Sequence, residues 1–390
     1  MEIRAEKLKG ALDVLEPVVP RKPRLPVLTH ILFRNGMAVA TDLTTRASVR
    51  LEEVVEPLLL PGKQLYDILR FIPGYEVVRL KPQPSGQVVL EAGDTTAILP
   101  ALPAGDFPPS PNDAWEVEAR VDGDALLRGV TQVAVCAATE SSRPVLNAVC
   151  LTAGPEVEAA AADGFRLSWI RVPVELPTPD GQPRRLLIPA DAVSLWETVW
   201  KRAPKPLTVG PGGTLVDVAF ATRHIQFAYN TTTLQLAFGA VAITFTLIAG
   251  DYINYRQIVP TRFHSRVSAF AEDLALALRR VGASAPKAPV RLRWDAAAAR
   301  ITVGAAHEDA AVITMGVKAK VEGAGGKTAL SGRYLADYLK GKSGPMTIDV
   351  LDESSPVLLS YPEAAPYVLM PMFVSWDGDG KAEGPRAEQA

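Results

Sequence analysis

Leu60–Arg70 reads LPGKQLYDILR, Ile188–Trp200 reads IPADAVSLWETVW and Leu330–Lys340 reads LSGRYLADYLK. Each is a small or proline-bearing turn followed by a short amphipathic helix, returning at intervals of about 120–140 residues. Other pieces return in the same order. LPVLTHILFRNG at Leu25–Gly36 is echoed by RPVLNAVCLTAG at Arg143–Gly154. The apolar lead into Asp42 is echoed by the lead into Asp163, and AGDF at Ala104–Phe107 by AGDY at Ala249–Tyr252. A period this long marks repeated domains, not the units of a solenoid.

At 390 residues the chain exceeds one ordinary core, and a prior of about 100–200 residues per domain admits two to four. The repeat selects three, spanning 1–112, 113–252 and 253–376. The remaining stretch, 377–390, has no apolar residue beyond alanine and is expected to be disordered. An apolar fraction of 48% supplies three cores, while 33 prolines and few aromatics call for many turns and aliphatic packing. Cys136 and Cys150 each sit in an apolar run, which predicts buried thiols in a reducing compartment. The longest apolar stretch, Leu234–Gly250, is shorter than the ~20 residues of a membrane span. Its β-branched content predicts two strands. A soluble, cytoplasmic protein without membrane association is expected.

Within repeat one, strands are expected at Met1–Ala5, Val27–Arg34, Ala38–Thr41 and Arg46–Glu52, then Val77–Leu80, Val88–Glu91 and Thr95–Leu99. Helices are expected at Glu6–Glu16 and Lys63–Phe71, with counterparts opening the later repeats at Gly123–Ala134 and Ala271–Val281. Each repeat therefore reads as two helices and about eight strands. The class is α+β, helices covering one face of antiparallel sheets.

Catalytic signatures are missing. The four histidines are isolated, and no HExxH, CxxC, GxSxG or GxxxxGK[ST] occurs. DLTTR at Asp42–Arg46 and DGFR at Asp163–Arg166 place a carboxylate near an arginine, but with no nucleophile or metal partner. They read as Asx-turns with local salt bridges. The chain is expected not to be an enzyme and to need no cofactor or metal. Its charge is nearly balanced, 41 basic against 43 acidic residues. The basic residues nevertheless gather near the helices. Lys7, Lys9, Arg21, Lys22 and Arg24 accompany the first, Arg128 the third and Lys201, Arg202 and Lys205 the fourth. Arg279, Arg280 and Lys287 accompany the fifth, and Lys340 and Lys342 the last. Recurrence at equivalent helices suits one shared phosphate-facing surface.

Taken together these motifs resemble the bacterial sliding clamp family, the beta subunit of DNA polymerase III, to about Phe373. The resemblance is carried by Leu25-Pro26-Val27-Leu28, Ala40-Thr41-Asp42, Asp106-Phe107-Pro108 and Arg143-Pro144-Val145-Leu146-Asn147. It continues through Ala162–Leu167, Gly250–Pro260 and Tyr367–Met372. It implies three repeated clamp domains per chain, closing as a head-to-tail dimeric ring whose helices surround duplex DNA. It also implies short linear motifs of the polymerase III catalytic subunit, the clamp loader, other polymerases, ligase and mismatch-repair proteins as partners. Under that resemblance Lys9, Lys22, Arg24, Arg128 and Lys201 would face DNA. The peptide groove would comprise Leu146, Gly164, Phe165, Arg166, Leu167, Ile253, Ile258, Val368, Leu369, Met370, Pro371 and Met372. Phe107 would meet Ala283 and Ser284 of a second copy.

The chain departs from the family at several of these positions. Phe165 replaces a histidine, Ile253 a proline, Asn254 an aspartate and Gln257 an arginine. Gly282-Ala283-Ser284 is small where a bulky dimer partner is expected. The altered groove leaves open a divergent paralogue, a peptide-binding platform in repair or mobile-element replication, beside the replicative clamp. The modest charge and small contact leave open a scaffold that closes no ring.

Overall fold

The structure is a computed structural model describing residues 1–110, 114–139, 142–203, 207–209, 215–217, 223–284, 288–305 and 313–376. Repeat one runs β1 (Glu2–Arg4), α1 (Ala5–Leu15), β2 (His30–Arg34), β3 (Met37–Thr41), β4 (Thr45–Arg50), β5 (Leu58–Pro61), α2 (Gly62–Leu69), β6 (Val77–Pro82), β7 (Gln87–Ala92) and β8 (Thr95–Pro100). Repeat two runs β9 (Val117–Asp122), α3 (Gly123–Ala134), β10 (Ala148–Ala153), β11 (Val157–Ala162), β12 (Arg166–Val172), β13 (Arg184–Pro189) and α4 (Ala190–Arg202). It continues with two short strands, β14 (Leu207–Val209) and β15 (Leu215–Asp217), then β16 (His224–Tyr229), β17 (Thr233–Phe238) and β18 (Val241–Thr246). Repeat three runs β19 (Ser265–Phe270), α5 (Ala271–Ser284), β20 (Val290–Asp295), β21 (Arg300–Ala305), β22 (Ile313–Gly323), β23 (Gly326–Leu330), α6 (Gly332–Leu339), β24 (Pro345–Val350), β25 (Val357–Ser360) and β26 (Tyr367–Leu369). The order strand, helix, four strands, helix, three strands is thus said three times, with β14 and β15 added in the second.

The strand expected from Val27 starts later. Pro26–Thr29 is a turn of 3-10 helix, and Pro144–Asn147 repeats it in the second repeat. A proline lacks the N–H that a strand ladder needs, while its fixed φ suits the first helical position. The pairing therefore begins only at His30 and Ala148.

The chain divides into two compact units. The first holds Met1–Ala161 and Ile170–Tyr252; the second holds Ala162–Trp169 and the chain from Ile253. In the first unit an eight-stranded antiparallel sheet has the order β5-β2-β3-β4-β18-β17-β16-β9, so strands of repeats one and two share one sheet through β4 and β18. A second sheet, β1-β6-β7-β8, completes repeat one, and β13-β10-β11 serves repeat two. Helix α1 buries Leu8, Ala11, Leu12 and Leu15, one stripe at helical spacing. Helix α3 is capped by the Asp122 carboxylate, which accepts from Ala125 N at 2.9 Å. Its partner α4 lies close, since a Cβ on Gly123 would sit 2.5 Å from the Trp200 ring.

In the second unit the opening of β12 begins a sheet of order β12-β26-β25-β24-β19-β22-β21-β20-β23. The expected hairpin of RLRWD and ITVGA is β20 and β21, paired from Arg291↔Gly304 to Asp295↔Arg300. Helix α5 buries Leu274 and Leu278 against these strands. Cys136 and Cys150 are both buried and unbridged. No described helix is long and apolar enough to cross a membrane.

Candidate functional site

The DGFR motif is built from the turn upward. Asp163 Oδ1 accepts from the N–H groups of Phe165 and Arg166, both at 2.9 Å, which makes an Asx-turn. Gly164 between them has φ +92°, a left-handed conformation that side chains resist. The turn throws Phe165 outward, 63% exposed, and aims Arg166 inward, 8% exposed.

Arg166 is held on all sides. Its Nε donates to Asp163 Oδ2 at 2.9 Å and its Nη1 to Asp337 Oδ2 at 2.8 Å. Nη1 also donates to the Tyr367 hydroxyl at 3.2 Å, and that hydroxyl donates to the Tyr334 carbonyl. The guanidinium lies 4.2 Å from the Tyr334 ring centroid. A planar, delocalised cation suits this mixture of carboxylate and aromatic partners where a lysine would not. Burial, with the Asp163 charge nearby, pushes the Tyr334 hydroxyl above its ordinary range.

Beside this cluster β12 and β26 pair antiparallel, Arg166↔Leu369, Leu167↔Val368 and Ser168↔Tyr367. Leu167, Val368 and Leu369 are buried as floor. Past β26 the Met370 N–H donates to the Phe165 carbonyl at 2.8 Å. Met370 and Met372 are partly exposed, Pro371 is half-buried, and Phe373 is almost wholly exposed. Phe165, Met370, Met372 and Phe373 thus expose apolar side chains before and after the paired strands, with the guanidinium–carboxylate network of Arg166 next to Phe165. Exposed apolar patches of this kind mark interaction sites, and methionine adapts to varied partners.

In the same unit Ile253 is half-buried and Ile258 is exposed just after a 3-10 turn. Leu146 is buried in the 3-10 turn of the first unit, its carbonyl accepting from Ala138 N. Sequence reading missed Asp337, Tyr334 and Phe373. The first two lie on α6, and Asp337 stands 171 residues from Arg166. Phe373 was readable as an apolar residue past the last strand.

Among the basic candidates, Lys22, Arg24 and Arg128 are exposed. Lys201 is exposed but pairs with Glu197 at 2.6 Å along α4. Lys9 is half-buried and its ammonium donates to the Ile72 carbonyl. Arg202 is committed to Glu16 at 2.9 Å and to the Asp13 carbonyl. Lys342 donates to the Tyr338 carbonyl, and burial lowers its pKa. Lys205 and Lys287 lie outside the described residues, as does the stretch 377–390.

Phe107 is 5% exposed and packs in its own repeat with Leu32, Val39 and Leu59, Arg46 lying 5.6 Å from its ring centroid. So little free ring suits a core residue better than a dimer contact. Ala283 is exposed at the end of α5; the Ser284 side chain lies outside the described residues.

Residues 1–111 match the family of the DNA polymerase III beta subunit, N-terminal domain. The beta sliding clamp of Caulobacter vibrioides is 27% identical over 396 aligned residues, covering 95% of this chain and 98% of that protein. The chain is similar to bacterial beta sliding clamps along nearly its whole length. The Streptomyces coelicolor beta sliding clamp aligns at 26% identity over 96% of this chain and 100% of its own length. Among solved structures, the DNA polymerase III subunit beta of Pseudomonas aeruginosa shares the fold with a TM-score of 0.83 at 20% identity, covering 96% of this chain and 99% of its own. The Bacillus subtilis DNA polymerase sliding clamp also gives 0.83, at 16% identity and the same coverage. The clamp fold thus spans all three repeats.

Proposed function

We propose that this chain is a replicative sliding clamp, a non-catalytic subunit that encircles duplex DNA and tethers DNA polymerase III and other replication or repair proteins. Homology along nearly the whole chain supports the assignment. The observation that carries the ring is the phase of strand pairing. The fourth strand of repeat one, β4, pairs with the last strand of repeat two, β18. The fourth strand of repeat two, β12, pairs in the same way with the last strand of repeat three, β26.

Two members of these sets remain, β22 and β8. The latter is an outer strand of its sheet. Along β22, Ile313–Lys318 pairs with β21, and β19 joins only from Ala319 onward. The rule that links repeat one to two and two to three would link β22 to β8 of a second copy. A second application returns to the first copy and closes a head-to-tail ring of six repeats. Closure also hides the exposed strand edges, which otherwise invite aggregation.

Within such a ring Arg128 on α3 and Lys201 on α4, with Lys22 and Arg24 in the loop after α1, would face phosphate, without the base-edge contacts that would arrest sliding. The exposed apolar side chains of Phe165, Met370 and Met372 receive the linear motifs of polymerase, clamp loader and repair partners. A leucine or phenylalanine anchor suits these apolar walls. The protein works in the cytoplasm on the nucleoid, with the three repeats as its domains.

The test is topological. The protein is loaded with a compatible clamp loader and ATP onto nicked circular plasmid, isolated in high salt, and the plasmid is then cut. Retention on the circle and loss on linearisation is the expected result. Loss from both forms, with a control clamp retained on the circle, removes the encircling function.

A further inference from the structure

The repeat that predicts the ring also predicts how its joint is made. In the first unit α4 packs against α1, their C-terminal ends meeting where Arg202 bonds Glu16 and the Asp13 carbonyl. Helix α4 buries more residues than its counterpart α2. Ala192, Trp196 and Val199 are 4%, 1% and 0% exposed, at the i, i+4, i+7 spacing of one helical stripe. Aligning Pro61-Gly62 with Pro189-Ala190 places Gln64, Ile68 and Phe71 at those positions on and just after α2. On α2 that face is open. Gln64 is exposed, Ile68 half-buried and Phe71 86% exposed, with Tyr75 beyond it 77% exposed.

The counterpart of α1 in repeat three is α5. Ala5, Leu8, Ala11, Leu12 and Leu15 align with Ala271, Leu274, Ala277, Leu278 and Val281, and all ten are buried. The alignment continues Glu16 to Gly282 and Pro17 to Ala283. It also takes Arg202 to Gly74. The ion pair of the joint within the chain therefore has no equivalent at the joint between copies. Gly282 leaves open space instead: a Cβ placed there would meet nothing within 4 Å. On the opposite side stands an aromatic that nothing in its own repeat buries. The unpaired edge strand β8 adds Ile98, 63% exposed, to that side.

Resting on the clamp assignment, we propose that Phe71, supported by Tyr75, is the aromatic anchor of the contact with a second copy of this chain. It seats on the Gly282-Ala283 end of that copy's α5. The small residues on α5 and the large exposed aromatic after α2 are complementary in bulk. Phe107, buried at home, takes no part.

Sedimentation equilibrium of the full chain tests this with Phe71→Ala, Gly282→Phe and the double variant Phe71→Gly/Gly282→Phe. The expected result is a wild-type dimer, weakened about thirtyfold or more by Phe71→Ala, as for an aromatic hot spot. Gly282→Phe also weakens it by occupying the open space that Phe71 would take, and the double variant recovers much of the loss. Circular dichroism melts guard against misfolding, since an exposed residue is replaced in each first-repeat change. A wild-type dimer indifferent to Phe71→Ala and Gly282→Phe overturns the anchor and leaves the clamp assignment standing. A wild-type chain that stays monomeric at tens of micromolar, by the same measurement, overturns the ring and the anchor together.

Discussion

Arg166 shows why a motif arginine need not be a surface contact. Its side chain is 7% exposed between Asp163 at 9% and Asp337 at 38%. Removing one partner of a buried pair strands the other charge, so Arg166→Ala is expected to cost about 3 kcal/mol. Asp337→Asn should cost under about 1 kcal/mol, because its more open carboxylate is screened by water. Urea midpoints of the two variants should fall in that order, and equal midpoints would sink the account. Gly164→Ala forces a left-handed alanine and should cost roughly 1–2 kcal/mol. Cys150 gives a pH-dependent check. Burial pushes its thiol up to about 11, so at pH 8 it stays protonated. Only the thiolate attacks disulfide reagents. The native protein is therefore expected to leave Cys150 unreacted at pH 8, whereas the urea-unfolded chain reacts at once; prompt native labelling would contradict the burial.

The pair β12–β26, the turn before it and the segment after it carry the exposed apolar side chains proposed to bind peptide, and only part of this region touches solvent. Phe165→Ala and Met372→Ala should therefore leave the melting temperature nearly unchanged while weakening a fluorescent leucine- or phenylalanine-bearing pentapeptide by about tenfold. Leu167→Ala, in the floor, should do the opposite and cost about 2–5 kcal/mol of stability. A peptide affinity that ignores Phe165 would remove it from the site. Much of this was legible in the chain. The threefold phrase located α2, α4 and α6, helical periodicity located α1, α3 and α5, and the alternation of RLRWD and ITVGA located β20 and β21. The Asx-turn at Asp163 followed from its residue types. Two things were not legible. Pro26 and Pro144 turned expected strand starts into 3-10 helix, because a missing N–H outweighs β-branched neighbours. Asp337 and Tyr334 reach Arg166 across long sequence separations, and no local pattern encodes which helix a guanidinium will meet. The burial of Phe107 was hidden for the same reason, since a motif position does not reveal whether its own core will claim the ring.

Sliding requires that grip and retention be separate properties, and the charge distribution permits the separation. With 41 basic and 43 acidic residues the chain has no general attraction for DNA. The exposed Lys22, Arg24 and Arg128 are few and replaceable. In an encircling clamp each phosphate contact aids loading and alignment, but escape from a closed circle requires the joints to part. The triple variant Lys22→Glu/Arg24→Glu/Arg128→Glu should therefore load more slowly, with a log–log salt slope shallower by roughly 0.9 per lost phosphate contact. Once loaded on a nicked circle its dwell time should match the wild type and vary little with salt. Phe71→Ala should show the reverse, loading with ordinary salt dependence but leaving the circle sooner, because it loosens the joint instead of the grip. If the charge variant escaped circles as quickly as it escaped linear DNA, retention would be electrostatic and enclosure would not be the mechanism. The two variants read together thus separate phosphate contact from closure of the proposed ring in one assay.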